Sequence, residues 1–182
     1  MTFAGRLEIS MLPADATDDM SLTAAVASLI NDVYAVAEEG LWIDGTPRTT
    51  AEEVAGLTRA GQLAVARSGG HLIGCVCIQH LGGGISEFSM LAVAPSHRSM
   101  GVGRDLVTFA EQVARAQRCD AMQLQVLVPR EWSHASKEFL TGWYQRIGYK
   151  PTRTDAVDQS YPELAPLLAT PCDLAVYRKS LS

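Results

Sequence analysis

Cysteine is scarce in this chain, and its spacing excludes two kinds of site. The 182 residues include four cysteines, at Cys75, Cys77, Cys119 and Cys172, and no two of them form a Cys-x-x-Cys pair. A disulfide framework or a cysteine-held metal is therefore not predicted, and we expect no bound metal. Cys75 and Cys77 would share one face of a strand, where buried thiols behave as small apolar side chains.

The chain also lacks an excess of positive charge and a long apolar run. Its formal net charge is −5, which argues against a general affinity for nucleic acid or acidic membranes. No apolar run approaches the length of a membrane span, and residues 1–6 lead into no signal-like apolar segment. Hydrophobic residues make up 47% of the chain, enough for a full core. These features predict a cytoplasmic protein with no nucleic-acid or membrane partner.

Strand-like and helix-like patterns alternate along the chain, without an internal repeat or a domain boundary. Strands are predicted over residues 6–11, 62–67, 71–81, 85–93, 121–128 and 173–180, with another from 149, and helices over 22–37, 50–57, 103–117 and 134–147. Segment 154–170 is predicted to be a linker with one or two helical turns. This order predicts a single α/β domain over residues 1–182, with a mixed central sheet and helices on both faces.

One strand-to-helix turn carries the strongest functional signal. It contains Arg98, Ser99, Met100, Gly101, Val102, Gly103 and Arg104. Free N–H groups at a helix N-terminus, glycines that let a phosphate approach the backbone, and two arginines together suit an anion. Leu106 stands where a Rossmann fingerprint has its third glycine, and no Gly-Lys-Ser/Thr follows as in a Walker loop. The turn predicts a phosphate-bearing ligand without naming it, and tight packing of the turn is the alternative.

A second motif, Tyr144-x-x-x-Gly148-Tyr149, lies at the end of the fourth predicted helix. Together with the Arg98-x-x-Gly101-x-Gly103 turn and the order of elements over residues 6–181, it resembles the GCN5-related N-acetyltransferase (GNAT) superfamily. The resemblance implies a GNAT-like acyl-CoA N-acyltransferase fold. It also implies that acetyl-CoA donates its acetyl group to the primary amine of a small molecule, which attacks the thioester directly.

The resemblance places acetyl-CoA along one strand edge and the turn that follows it. The backbone of Leu91, Ala92 and Val93 would pair with the pantetheine chain, much as an added strand pairs with a sheet edge. A bulge there would aim the Leu91 N–H at the thioester oxygen. The turn from Arg98 to Gly103, with Arg104 beside it, would hold the pyrophosphate.

The chain departs from the family pattern at two places. Ser99 and Met100 stand where many members have a glycine and a basic residue, so part of the attraction for phosphate is weaker. Lys137 stands where many members carry an asparagine, seven positions before the helix tyrosine. This lysine either contacts the phosphates of the cofactor or is solvated, and the sequence leaves both alternatives open.

Two side chains are candidates for proton transfer. Tyr144 occupies the position of the family's usual general acid, facing the departing sulfur; its alternative is a core aromatic residue. Glu87 is the candidate base, acting through a water, because an amine attacks only when unprotonated. Strand alternation puts Glu87, Ser89, Leu91 and Val93 on one face. A solvated carboxylate, with water as the base, is the alternative for Glu87.

Acidic residues at the end of the first predicted helix suggest where the acceptor binds. Glu38 and Glu39 lie in its last turn, where the helix dipole disfavours carboxylates, and Trp42 and Asp44 follow. In families that the chain resembles, the loop between the first two helices walls the acceptor site. We therefore expect Glu38, Glu39 and Trp42 to bind a cationic amine. A solvated helix end is the alternative.

Two other functions stay open from the sequence. One is a regulatory module that binds acyl-CoA without turnover, which the presence of both Tyr144 and Glu87 disfavours. The other is a different nucleotide-binding α/β domain, which the missing third glycine and the missing lysine disfavour. The sequence is compatible with a homodimer, and it specifies neither the amine nor the range of acyl groups.

Overall fold

The computed structural model describes residues 6–182, and its elements follow the predicted order. Within this range seven strands are formed: β1 Leu7–Met11, β2 Leu63–Ser68, β3 His71–Gly82, β4 Ile85–Val93, β5 Ala121–Pro129, β6 Lys150–Ala156 and β7 Cys172–Ser180. Five α-helices accompany them: α1 Met20–Ala37, α2 Ala51–Arg59, α3 Val102–Ala116, α4 Ala135–Arg146 and α5 Val157–Ser160. The sequence placed most of these boundaries within one or two residues.

The strands form one sheet in the order β1-β2-β3-β4-β5-β7-β6. Neighbouring strands are antiparallel, except that β4 and β5 run parallel. The side chains of α3 and α4 pack on one face of the sheet, and those of α1 and α2 pack on the other. The prediction of an α/β fold with a mixed sheet and helices on both faces is therefore confirmed.

Helix α1 corrects one expectation from the sequence. Its 18 residues reach a mean hydropathy of 1.4, so by length and composition it could span a membrane. Within the protein, however, Val26, Ile30 and Val33 are buried against the sheet. The core helix of a soluble protein meets the same criteria, so this single helix is weak evidence for a membrane span.

The segment after β6 differs most from the prediction of a linker. β6 continues to Ala156 because it pairs with β7, for example through Thr154 with Ala175 and Asp155 with Leu174. As the edge strand of the sheet it is mostly exposed, so its sequence lacks the apolar alternation that signals a strand. Helix α5 and a single turn at Ala165–Leu167 supply the expected helical turns.

β4 and β5 separate soon after they begin. Residues 85–87 lie opposite residues 121–123, and the described chain shows no further pairing between the two strands. Beyond Glu87, one edge of β4 therefore has no neighbouring strand. The separation opens a gap in the middle of the sheet, between the layer of α1 and α2 and the layer of α3 and α4.

β4 contains a bulge at the level of this gap. The register between β3 and β4 shifts there, and Met90 has a φ of 50°. A non-glycine residue at positive φ is uncommon in a strand, and such residues often mark functional positions. The resemblance implied a bulge at this place.

The bulge also corrects the expected arrangement of side chains along β4. Phe88, Leu91 and Val93 pack with α3 and α4. Glu87 and Ser89 face the opposite layer, with α1. The expectation that Glu87 and Ser89 share a face with Leu91 and Val93 is therefore wrong, because the extra residue reverses the alternation.

Candidate active site

The N-terminus of α3 exposes free backbone N–H groups. Gly101 caps the helix with a φ of 87°, and no side chain of residues 6–182 caps the first turn with a hydrogen bond. A Cβ at Gly101 would meet nothing within 4 Å, and one at Gly103 would meet only Val93 at 3.7 Å and Trp143 at 4.0 Å. Packing alone therefore does not require a glycine at position 103. Free N–H groups and the helix dipole suit this terminus to an anion.

The arginines beside this terminus are available for a ligand. Arg98 and Arg104 are exposed, and neither makes an ion pair within residues 6–182. Ser99 has a φ of 62°, a conformation in which a glycine is unstrained. Met100 is exposed and adds no charge. The turn thus keeps its backbone donors and two cations at the positions that the sequence predicted.

A cavity of about 280 Å³ occupies the gap between β4 and β5. It brings Tyr144 of α4 and Leu91 of β4, which lie on one face of the sheet, together with Glu87 of β4, which lies on the other face. We call this space the inner cavity. Its ionisable lining residues include Tyr34, Glu38, Arg48, Glu87, Lys137 and Tyr144.

Tyr144 reaches the inner cavity from a cluster of aromatic side chains. Its ring centroid lies 5.9 Å from that of Phe88, 6.0 Å from that of Tyr149 and 5.0 Å from that of Trp143. Burial raises the pKa of the Tyr144 phenol above its ordinary value, and nearby Tyr34 raises it further. No hydrogen bond joins its Oη to another group of residues 6–182. The phenol is therefore protonated, and its O–H is available to donate a hydrogen bond to a ligand.

The second tyrosine of the motif has a different part. Tyr149 Oη donates a hydrogen bond to Glu111 Oε1 over 3.0 Å, and Lys179 Nζ donates to the same oxygen over 2.8 Å. Gly148 precedes it with a φ of 103°. These contacts fix the Tyr149 ring, and that ring in turn packs edge-on against Tyr144. The motif thus contributes one residue to the cavity and one to its support.

Glu87 lies on the other side of the inner cavity, held by neutral donors. Its Oε2 accepts hydrogen bonds from Gln123 Nε2 at 2.6 Å and from Gln125 Nε2 at 3.1 Å. Arg178 Nε donates to Gln123 Oε1 over 2.8 Å, which orients the first amide. The carboxylate is thereby positioned by neutral donors, and it makes no direct ion pair within residues 6–182.

Glu38 and Lys137 form a buried ion pair in the wall of the inner cavity. Lys137 Nζ lies 2.7 Å from Glu38 Oε1, and each side chain is only 6% exposed. Trp42 Nε1 donates to Glu38 Oε2 over 2.6 Å. Lys137 is thus buried rather than solvated, and its contact with the phosphates of the cofactor stays a prediction. Glu38 has partners within the chain and does not present a free carboxylate.

An outer cavity of about 400 Å³ adjoins the inner one, beside the loop between α1 and α2. The two cavities share the lining residues Tyr34, Glu38, Trp42, Arg48 and Leu164. Glu39 and Asp44 are exposed and line only the outer cavity. Of the predicted acceptor residues, Trp42 therefore borders both spaces, Glu38 borders both with its charge neutralised, and Glu39 lies farther out.

Comparison with known proteins assigns the chain to a family. The model of the acetyltransferase (GNAT) family matches residues 27–149, well over half of the chain. The chain belongs to this family. The resemblance that its two motifs indicated is thus confirmed, and acetyl transfer is the activity of its family. No curated protein matches the chain in sequence.

Solved acetyltransferase structures share the fold at low sequence identity. The structure of yncA from Salmonella typhimurium with its cofactor acetyl-CoA has a TM-score of 0.67 and 16% identity, over 97% of this chain and 95% of that one. The ribosomal-protein-S18-alanine N-acetyltransferase from Escherichia coli gives 0.66 and 15%, over 97% and 95%. The IAA acetyltransferase from Bacillus cereus ATCC 14579 gives 0.61 and 16%, over 96% and 99%. These similarities show the fold.

Sequence reasoning missed two cavity residues of this acetyltransferase. Arg48 lies in the α1–α2 loop, which was expected to wall the acceptor site, but only Glu38, Glu39 and Trp42 were predicted to bind the acceptor. Tyr34 follows Ile30 by four positions, so helical spacing placed it on the buried face of α1. Both signals were present in the sequence. What it did not show is that Lys137 would neutralise Glu38.

Proposed function

We propose that this protein is an N-acetyltransferase that moves an acetyl group from acetyl-CoA to the primary amine of a small molecule. The observation that carries the proposal is the inner cavity, where a protonated phenol and a positioned carboxylate face the bulged edge of β4. Membership of the acetyltransferase (GNAT) family supplies the acetyl transfer. The acceptor amine and the direct attack are our proposal.

Acetyl-CoA fits the features of the α3 turn and of β4. The residues proposed to hold its pyrophosphate are Arg98, Ser99, Met100, Gly101, Val102, Gly103 and Arg104. The unpaired edge at Leu91, Ala92 and Val93 is extended backbone, which suits the amide groups of pantetheine. The Leu91 N–H is proposed to bind the thioester oxygen, where negative charge develops during attack.

Tyr144 and Glu87 have separate parts in the reaction. The amine nitrogen forms a bond to the thioester carbon while the carbon–sulfur bond breaks and its electron pair goes to sulfur. Tyr144 donates a hydrogen bond to that sulfur, which leaves as a thiolate; since burial raises the pKa of its phenol, the proton stays on Tyr144. Glu87 accepts the proton of the amine through a water. Their positions on opposite walls of one cavity support this division.

The size of the inner cavity supports a small acceptor, because about 280 Å³ is close to the volume of about 300 Å³ at which small-molecule sites begin. An amine as the acceptor is supported by the solved structure from Escherichia coli, which is named an N-acetyltransferase, although its acceptor is a ribosomal protein. A single domain over residues 1–182 and a cytoplasmic location are proposed on the sequence grounds given above, and a homodimer is compatible with the sequence.

Turnover of acetyl-CoA against a broad panel of amines tests the proposal. We expect release of free CoA, followed with a thiol reagent, to depend on one class of amine, and mass spectrometry to show an acetylated product. Micromolar binding of acetyl-CoA by calorimetry without turnover of any amine would instead support a regulatory module. Equal or better binding of NAD or ATP would contradict the assignment of the α3 turn.

A further inference from the structure

The charges around the inner cavity leave one cation without a carboxylate. Glu38 and Lys137 neutralise each other, and Glu87 is held by two amides. Within residues 6–182, no carboxylate lies within ion-pair distance of the Arg48 guanidinium. An arginine remains charged at any physiological pH and presents five N–H donors in a planar fork. Arg48 is therefore a half-buried cation with donors to spare.

The fold holds Arg48 in place from its backbone and from its side chain. Asn31 of α1 accepts hydrogen bonds from the backbone N–H groups of Arg48 and Thr49, at 2.8 and 3.0 Å. Its Nδ2 donates to Thr49 O over 3.0 Å. The guanidinium carbon lies 5.4 Å from the centroid of the Tyr34 ring, in a cation–π contact. Such fixed donors lose little entropy when a ligand binds.

Arg48 and Glu87 line the same cavity and carry opposite charges. Arg48 also borders the outer cavity, whereas Glu87 and Tyr144 line only the inner one. A ligand that extends from the outer cavity to the reacting centre passes the guanidinium and then the carboxylate. A guanidinium matches a carboxylate in a bidentate pair, and Glu87 matches an ammonium group.

We propose that the acceptor is an amino acid in the chemical sense: its carboxylate binds Arg48 while its amine lies at Glu87. This inference rests on the proposed function and narrows its substrate class. It also revises the expectation of a purely cationic acceptor. The carboxylate of Glu38, which was expected to attract such a cation, is already neutralised by Lys137.

Paired substrates test the inference directly. Free α-amino acids are assayed beside their decarboxylated amines, and kcat/KM is measured for each member of a pair. For at least one pair we expect the acid to be preferred by about tenfold or more, as for a charged hydrogen-bonded pair. In Arg48→Gln this preference should fall about tenfold, and Arg48→Lys should retain part of it. A preference for the decarboxylated amines, or a ratio unchanged in Arg48→Gln, would overturn the inference.

Arg59→Gln is the matched control. Arg59 is an exposed arginine at the end of α2 and lines neither cavity. We expect its variant to keep the wild-type ratio. Calorimetry with acetyl-CoA checks that each variant is folded, because the α3 turn and the layer of α1 and α2 lie on opposite faces of the sheet.

A binding measurement separates this inference from the proposed function. The same acids and amines are titrated by calorimetry into the protein saturated with CoA. Binding of acids that is lost in Arg48→Gln, without any turnover, would support the anion site and overturn the N-acetyltransferase proposal. Turnover of amines with no preference for the acids would support the N-acetyltransferase proposal and overturn the anion site at Arg48. If no acid binds and none is acetylated, the inference fails.

Discussion

The two halves of the site are built in different ways. On the proposed cofactor side, the α3 turn and the free edge of β4 present mostly backbone groups, with two exposed arginines beside them. On the proposed acceptor side, charged side chains from the end of α1, the α1–α2 loop, β4 and α4 meet in the inner cavity. The first half depends on local backbone conformation, whereas the second depends on which side chains pair.

This difference explains why only one half suits a general cofactor. Backbone N–H groups bind phosphate whatever the neighbouring side chains are, so a short pattern of glycines is enough to build that half. Recognition of an acceptor requires a particular set of charged side chains. A charged side chain can bind the acceptor only if no other residue of the protein already neutralises it. Glu38 shows this, because its proximity to Lys137 removes it from the charges that a substrate meets.

The largest effect is expected from breaking the buried pair on the acceptor side. Glu38→Gln leaves Lys137 charged, buried and without an anion, which typically costs about 3–5 kcal/mol of unfolding free energy. Urea unfolding measures the loss. Glu39→Gln, its exposed neighbour, should change stability by less than about 0.5 kcal/mol. A similarly small loss of stability in Glu38→Gln would mean that water reaches Lys137 and that the ion pair does not stabilise the fold.

The same two variants test the acidic cluster as an acceptor site. Because Glu38 is neutralised, Glu39 is the remaining predicted carboxylate that faces the outer cavity. If it attracts the amine, Glu39→Gln should raise the KM for that amine and leave acetyl-CoA binding unchanged. An unchanged KM would assign Glu39 to a solvated helix end.

The next largest effect is expected on the cofactor side. Gly103→Glu places a negative charge beside the proposed pyrophosphate site and should weaken acetyl-CoA binding about a hundredfold, as two like charges a few ångströms apart do. Calorimetry measures the affinity. Gly56→Glu is the control, since Gly56 is also helical and open to solvent but lies on α2. Equal affinities of both variants for acetyl-CoA would remove the pyrophosphate assignment.

Most of the fold could be predicted from the sequence, because local patterns decide it. The glycine turn and the strand at 85–93 are both determined by residues that are close together in the sequence. Only the family resemblance implied the bulge at Met90, since nothing in the neighbouring residues themselves marks a positive φ. It also did not reveal that β6 continues to Ala156, because pairing with β7 rather than apolar alternation forms that edge strand.

The site was predictable to the extent that its residues act alone. Tyr144 was found from a motif, and the structure places it in the inner cavity. The cationic partner of Glu38, Lys137, lies 99 positions away along the chain, and the two amide partners of Glu87 lie 36 and 38 positions away. Pairs at such separations depend on the sheet order, which a single sequence does not state. The free charge of Arg48 follows only after these pairs are assigned.

Tyr144→Phe tests the point where the two halves meet. We expect kcat to fall about tenfold to a hundredfold while the KM for acetyl-CoA changes little, because the lost hydrogen bond matters as charge develops on sulfur. Burial raises the pKa of Tyr144, so its phenol stays protonated at pH values above the ordinary tyrosine pKa of about 10. The pH profile of kcat should therefore have the same shape in the variant and the wild type below about pH 10.

The control for Tyr144 is another buried tyrosine. Tyr177 is buried in the same core cluster but does not line the inner or the outer cavity, so Tyr177→Phe should keep the wild-type kcat. A loss within about threefold in Tyr144→Phe, below the ordinary range for acid–base groups, would assign Tyr144 to packing alone.

The smallest effect is expected for Glu87→Gln, because water can also take the proton of the amine. The substitution keeps the shape of the side chain beside Gln123 and Gln125 and removes the group that accepts a proton. If Glu87 is the base, kcat/KM with the active amine should therefore fall about tenfold near neutral pH. The measurement compares kcat/KM of the wild type and the variant with that amine. An unchanged kcat/KM would show that water or another group takes the proton, and Glu87 would then be a positioned but non-catalytic charge on the proposed acceptor side.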